Sequence, residues 1–87
     1  MKENLKFLKL LADETRLDIL NILLKEDSYV EKLACELSLT QATICYHLKK
    51  MESAGIVNSS RTQYYIIYSL NREIFDKPLF ELIKNGE

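Results

Sequence analysis

The side chains with the clearest chemical use lie between positions 40 and 61 of this 87-residue chain. Thr40, Gln41, Ala42 and Thr43 open a helical run that continues through Cys45, Tyr46, Lys49 and Lys50, and Arg61 follows shortly after. Short polar side chains at a helix start stand where free backbone amides and the helix dipole favour phosphate. A glutamine amide can pair with both hydrogen-bonding atoms of one adenine edge, and a threonine methyl or hydroxyl can meet a base edge. Lys49, Lys50 and Arg61 can neutralise backbone phosphates, which position a protein without reading sequence. Ile44, Leu48 and Met51 recur at helical spacing on the other side of the same run, giving it a face to bury. A helix seated in a major groove needs both faces. Taken alone, Thr40 and Gln41 fit an ordinary helix start equally well, and Lys49-Lys50 and Arg61 are by default a solvated face and an ordinary hairpin residue.

Other chemistries find less support. Cys35 and Cys45 are too few for a secreted disulfide framework, and their spacing matches no zinc motif. A free cysteine is most often a small buried hydrophobe, which is the expectation for Cys35 between two core positions. Cys45 flanks the polar side of its helix, where a thiol near Lys or His can be reactive. The single His47 reads as a packing or surface residue, and Tyr64, Tyr65 and Tyr68 as sheet packing. No nucleophile–base pair, glycine-rich phosphate loop or paired carboxylates can be named, so neither an enzyme nor a cofactor is expected. The net charge of −1 argues mildly against nucleic acid. Its distribution argues the other way, because between positions 40 and 64 Lys49, Lys50 and Arg61 face only Glu52.

These side chains need a frame to hold them. Leu5, Leu8 and Leu11, with Phe7, give the first segment an apolar stripe. Asp13 can cap a second helix carrying Leu17, Leu20, Ile22, Leu23 and Leu24, whose broad apolar face predicts a largely buried element. Ser28-Tyr29-Val30-Glu31 reads as a reciprocal cap for a third helix with Val30, Leu33, Ala34 and Leu37 on one side. Ser38-Leu39 makes a turn, Thr40 caps the fourth helix, and Gly55 ends it. Ile56–Arg61 and Tyr64–Leu70 alternate β-branched and aromatic residues with polar ones, which predicts a hairpin. Asn71 can cap a last helix over residues 72–84, with Pro78 in a first turn. The predicted fold is mainly α with one two-stranded hairpin, in the order of a winged helix-turn-helix.

Particular stretches carry a family resemblance. Leu11-Ala12-Asp13-Glu14-Thr15-Arg16-Leu17-Asp18-Ile19-Leu20 resembles the LADPTRLRIL opening of the ArsR/SmtB family of repressors. Residues 33–48, LACELSLTQATICYHL, are similar to that family's LA..LGLSQSTVSHHL helix-turn-helix. Glu52-Ser53-Ala54-Gly55-Ile56-Val57 is similar to its EAGLV, and the run from Tyr64 to Leu70 to its aromatic second wing strand. The resemblance spans about residues 8–71 without a gap. It implies a sequence-specific DNA-binding transcriptional regulator, a homodimeric repressor on an inverted-repeat operator of double-stranded DNA. It also implies that Thr40, Gln41, Ala42, Thr43, Cys45, Tyr46, Lys49, Lys50 and Arg61 form the DNA-binding surface.

The resemblance stops at the family's metal sites. Asp27–Leu33 stands where some relatives carry paired cysteines, and it has none. Residues 72–84, where others carry histidine pairs, contain no His. Without thiolate or imidazole ligands at either place, no metal is expected there. The hairpin turn Arg61-Thr62-Gln63 also lacks the usual glycine, which predicts a stiffer or irregular wing. The whole chain, 1–87, reads as one domain whose terminal helices pair with a second copy. A domain this small buries only about 60–65% of its unfolded surface, so a partner is a natural source of stability. No apolar run is long enough to span a membrane, and Glu3 and Lys9 interrupt any signal-peptide core, so a cytoplasmic location is expected. The alternative is a winged helix serving as a protein-interaction module without DNA binding, which the pI near 5.8 favours.

Overall fold

The computed structural model describes residues 2–75, with side chains for 5–74, so most of the predicted last helix over 72–84, including Pro78, and its predicted pairing with a second copy lie outside the described residues. Four helices come first: α1 (Lys2–Leu11), α2 (Glu14–Lys25), α3 (Val30–Leu37) and α4 (Gln41–Ser53). The strands β1 (Val57–Arg61) and β2 (Ile66–Leu70) pair antiparallel, with Val57 opposite Leu70 and Arg61 opposite Ile66. A helical turn, α5 (Arg72–Phe75), ends the described part. The predicted mainly α fold with a single hairpin is therefore correct. No helix among the described residues is long and apolar enough to cross a membrane.

The core forms where the elements converge. Ile19 and Leu23 of α2, Leu33 of α3, and Ile44, Leu48 and Met51 of α4 are fully buried with Ile56. Phe7, Ala34, Val57, Tyr68 and Leu70 close around them. Phe7, not Leu5, anchors α1; Leu8 and Leu11 are partly buried, and Leu5 is exposed on the far side. The second helix is also less buried than its composition predicts. Ile19 and Leu23, one turn apart, take the core, while Leu17 and Leu24 stay 45% and 51% exposed. An 87-residue chain has too little interior to cover a helix that is apolar on most sides.

Local chemistry sets the element ends. The Asp13 carboxylate accepts from the Arg16 amide at 3.0 Å and caps α2 as predicted. Thr40 Oγ1 accepts from the Thr43 amide at 3.1 Å and caps α4. Gly55, at φ 79°, ends α4 with paired bonds from Gly55 to Glu52 and from Ile56 to Met51, both 2.9 Å. The same bond pattern ends α3, where Leu39 donates to Ala34 at 3.0 Å and Ser38 to Cys35 at 3.3 Å. There the left-handed position is filled by Ser38, at φ 57°, where the family motif has glycine.

Two predicted caps are wrong. Ser28 does not cap α3; Tyr29 precedes the helix without a side-chain cap. The Ser28 amide and carbonyl instead pair with Tyr68 of β2, at 3.1 and 2.7 Å, adding a short third rung to the hairpin. Its hydroxyl is buried without a hydrogen-bond partner among the described residues. Asn71 does precede α5, but its side-chain amide donates to the Gly55 carbonyl at 2.9 Å and ties the hairpin exit to the end of α4. The hairpin is also shorter than predicted. Tyr64 and Tyr65 belong to the turn, which Thr62 closes by donating its amide to the Tyr65 carbonyl at 2.8 Å. The Thr62 hydroxyl accepts from the Tyr65 amide at 3.0 Å, and no residue of this turn needs a positive φ. A glycine is therefore unnecessary.

Two measurements check these ends. Ser38→Gly relieves a left-handed strain of roughly 1–2 kcal/mol, partly offset by a more flexible unfolded chain. A net gain of about 0.5–1 kcal/mol is expected in urea unfolding; an unchanged or lower midpoint refutes the strain. The Arg16 amide, helped by the charge of the Arg16 guanidinium, holds the Asp13 carboxyl below its ordinary 3.8. Its contribution is therefore complete above that value and fades as pH falls through the lowered one. Asp13→Ala is expected to cost about 1 kcal/mol near neutrality and to remove that acid-side decline. An equal loss at pH 7 and pH 2 would contradict the assignment.

Candidate nucleic-acid interface

Helix α4 presents its two faces as the spacing predicts. Ile44, Leu48 and Met51 are sealed in the core, and Gln41, Ala42, Tyr46, Lys49 and Lys50 are exposed. Cys45 is half-buried at the edge nearer the hairpin. Cys35 is exposed on α3, contrary to the expectation of a buried thiol. Its neighbours Leu33 and Ala34 fill the core-facing phase of that short helix, and position 35 turns outward.

The hairpin and α4 enclose a cleft of about 330 Å³. Gln41 and Cys45 line it from the helix, Arg61, Gln63 and Tyr64 from the hairpin, and Glu31 from α3. Sequence neighbours played no part in bringing Gln41 and Arg61 together; the hairpin does so by packing Val57 and Tyr68 into the core beneath them. Burial raises the Tyr68 hydroxyl above its usual value, with the charges of Glu52 and Cys45 acting the same way. The hairpin is steered from both sides. Ser59 donates to Glu52 of α4 at 2.6 Å, and the Tyr65 ring packs on Tyr29 with centroids 4.5 Å apart. Tyr64 at the tip is 80% exposed, so the expectation of sheet packing fails for it.

On the other flank of α4, Lys50 lies 5.1 Å above the Tyr46 ring, an attraction of ammonium for a π-face. Tyr46 is 56% exposed and stands edge-on to His47, with centroids 5.2 Å apart. Thr40 and Thr43 share a hydroxyl bond of 2.8 Å, leaving Gln41 as the polar side chain of the first turn without a protein partner among the described residues. Neither Lys49, Lys50 nor Arg61 pairs with a carboxylate among those residues, so their charge faces outward. No three His, Cys, Asp or Glu side chains gather as metal ligands there.

Sequence reasoning passed over Arg16 and gave His47 only a packing or surface role. His47 is 9% exposed, and its Nδ1 accepts from Arg16 Nε at 3.2 Å. The signal was present, since Arg16 lies within the stretch that resembles the family opening. A charged side chain one turn into a helix nevertheless looks like a solvated one until its partner 31 residues away is located.

This arrangement matches known proteins in sequence and shape. Residues 13–59, more than half of the chain, match the model of the bacterial regulatory protein arsR family. The transcriptional activator HlyU of Vibrio cholerae is 34% identical over 64 residues, 74% of this chain and 59% of its own length. The arsenical resistance operon repressor of Staphylococcus xylosus is 33% identical over 79 residues, 86% of this chain and 72% of its own. The curated relatives matched are spanned for between 16% and 72% of their length. A solved homodimeric winged helix-turn-helix DNA-binding domain from Mycobacterium bovis superposes with a TM-score of 0.80 at 25% identity, covering 95% of this chain and 76% of that one. Motif order, hairpin geometry and these likenesses agree: the chain belongs to the arsR family of bacterial regulatory proteins.

Proposed function

We propose that this chain is a sequence-specific DNA-binding transcriptional regulator that acts as a homodimeric repressor. One observation carries the reading. Helix α4 buries its apolar seam completely while Gln41, Tyr46 and Lys49 stand exposed, with Arg61 on the hairpin across the same cleft. In this arrangement α4 enters the major groove, with Gln41 reading an adenine edge and Ala42 and Cys45 close enough for apolar contact with bases. Thr40, Thr43, Lys49, Lys50 and Arg61 hold phosphates. Repression follows when the occupied site excludes the polymerase, which is the sense of the staphylococcal relative's name, whereas the Vibrio relative is named for activation.

Dimerisation is supported by the uncovered leucines, Leu5 on α1 and Leu17 and Leu24 on α2, and by the homodimeric structural neighbour. In this reading the chain is one domain whose ends meet their copies. Two-fold symmetry then asks for an inverted-repeat operator. The chain works without a bound metal, because Tyr29, Val30 and the His-free stretch 72–84 offer none of the family's ligands. The cytoplasm, where the chromosome lies, is the corresponding location.

Three experiments test this. Operator DNA selected from a random pool serves as the probe. Gln41→Ala is expected to cost roughly 1–3 kcal/mol per contact and to relax preference at one base position. Arg61→Ala should weaken all sequences alike and lower the salt slope by about one per contact. Unchanged affinity and salt dependence in both variants would leave the protein-interaction alternative in front. Sedimentation at micromolar concentration should give about twice the 10.2 kDa chain mass; a clean monomer refutes the symmetric complex. Zinc or cadmium added with the thiols reduced should leave affinity within a few-fold, and a stoichiometric metal complex that releases DNA would overturn metal independence.

A further inference from the structure

We infer that Arg16 is a positioning residue for the reading helix: through His47 it holds Tyr46 on the exposed face of α4 and ties that face to the end of α1. The inference rests on the DNA-binding reading above and adds a residue outside the reading surface to it.

Arg16 makes three separate attachments. Its backbone amide donates to Asp13, its Nη1 donates to the Leu10 carbonyl at 3.2 Å, and its Nε donates to His47 Nδ1 at 3.2 Å. The Leu10 carbonyl lies in the last turn of α1, where no later helical amide is available to it. One half-buried side chain therefore joins α1, α2 and α4. Arginine has no acceptor atom, so His47 Nδ1 must be the bare nitrogen of a neutral ring, with the proton on Nε2. That bond fixes the ring's tautomer and its plane.

The ring plane matters because of what leans on it. Tyr46 stands edge-on to the imidazole and Lys50 lies over the Tyr46 ring. A continuous line of contacts thus runs from the Leu10 carbonyl through Arg16, His47 and Tyr46 to Lys50 on the outer surface. The Ile44–Leu48–Met51 seam resists translation of α4, but smooth aliphatic contacts set rotation about the helix axis less sharply than a directional hydrogen bond. Arg16 supplies that directional contact from the side of the helix opposite the groove. A displacement of the α1 end reaches the reading face by the same line.

The test compares substitutions that keep the charge and either preserve the acceptor, move it or alter the donor. Asparagine places its oxygen where His47 Nδ1 stands, and glutamine places it one methylene further out. His47→Gln and Arg16→Lys should each weaken binding to the selected operator about tenfold, the scale of one hydrogen bond to a charged group. Binding to random DNA and the salt slope should stay unchanged, because no phosphate contact is removed. His47→Asn should retain operator affinity within twofold, and Arg16→Lys combined with His47→Gln should be no weaker than either alone. Urea unfolding shows that each variant is folded. Nitrogen-15 spectra of the histidine ring give a readout without DNA: a bare Nδ1 in the wild type and a mixed tautomer in Arg16→Lys. Full operator affinity in Arg16→Lys, equal losses in His47→Asn and His47→Gln, or additive losses in the double variant would each overturn the inference. If the wild-type chain binds no DNA while the ring spectra respond as expected, the DNA-binding reading fails and the Arg16–His47 bond stands. Ring spectra indifferent to Arg16→Lys refute the bond itself.

Discussion

Complete burial of Ile44, Leu48 and Met51 is the constraint on which the molecule turns. A helix that offers polar side chains to a partner gains nothing in solution from its exposed side, so its other side must supply the stability. Three fully buried aliphatic side chains contribute roughly 1.5–3 kcal/mol each relative to exposure. Ile19 and Leu23 from α2, Leu33 from α3 and Ile56 before β1 are the surfaces that receive them. Every other element is arranged around that requirement: α3 fixes the approach, Gly55 stops the helix before it outruns its core, and the hairpin closes the far end.

The parts of this plan that depend on near neighbours were legible in the sequence. Asp13 and Thr40 reach amides three residues on, and Gly55 needs only its own backbone freedom, so caps and stops follow from local chemistry. The buried seam of α4 follows from spacing alone. The cap readings that failed did so where a distant partner competed. Ser28 and Glu31 have the pattern of a reciprocal cap, yet Tyr68, forty positions away, takes the Ser28 backbone. Nothing near Ser28 in the chain announces that contact.

The candidate surface divides in the same way. Gln41, Tyr46 and Lys49 could be placed from helical phase, and the hairpin's Arg61 from the local excess of positive charge. Arg16 could not be placed, because its meaning lies in the geometry of three helices meeting at one guanidinium. Leu17 and Leu24 are the reverse case. Their apolar character suggested burial within the chain, whereas the single protomer leaves them in water. Cys35 was misjudged by one step of helical phase.

The Ser28–Tyr68 bridge gives the hairpin the mechanics of a cantilever. Its root is clamped on both sides, by Ser28 and by the burial of Val57 and Leu70. Everything from Arg61 to Ile66 projects beyond the clamp, with Tyr29 as a single prop beneath Tyr65. A load applied at the tip is borne by the few residues that overhang, while the clamped root transmits little of it to the core. Contact with a partner therefore asks for ordering at the tip alone, and tips of different length or composition can be exchanged on the same root without redesigning the domain.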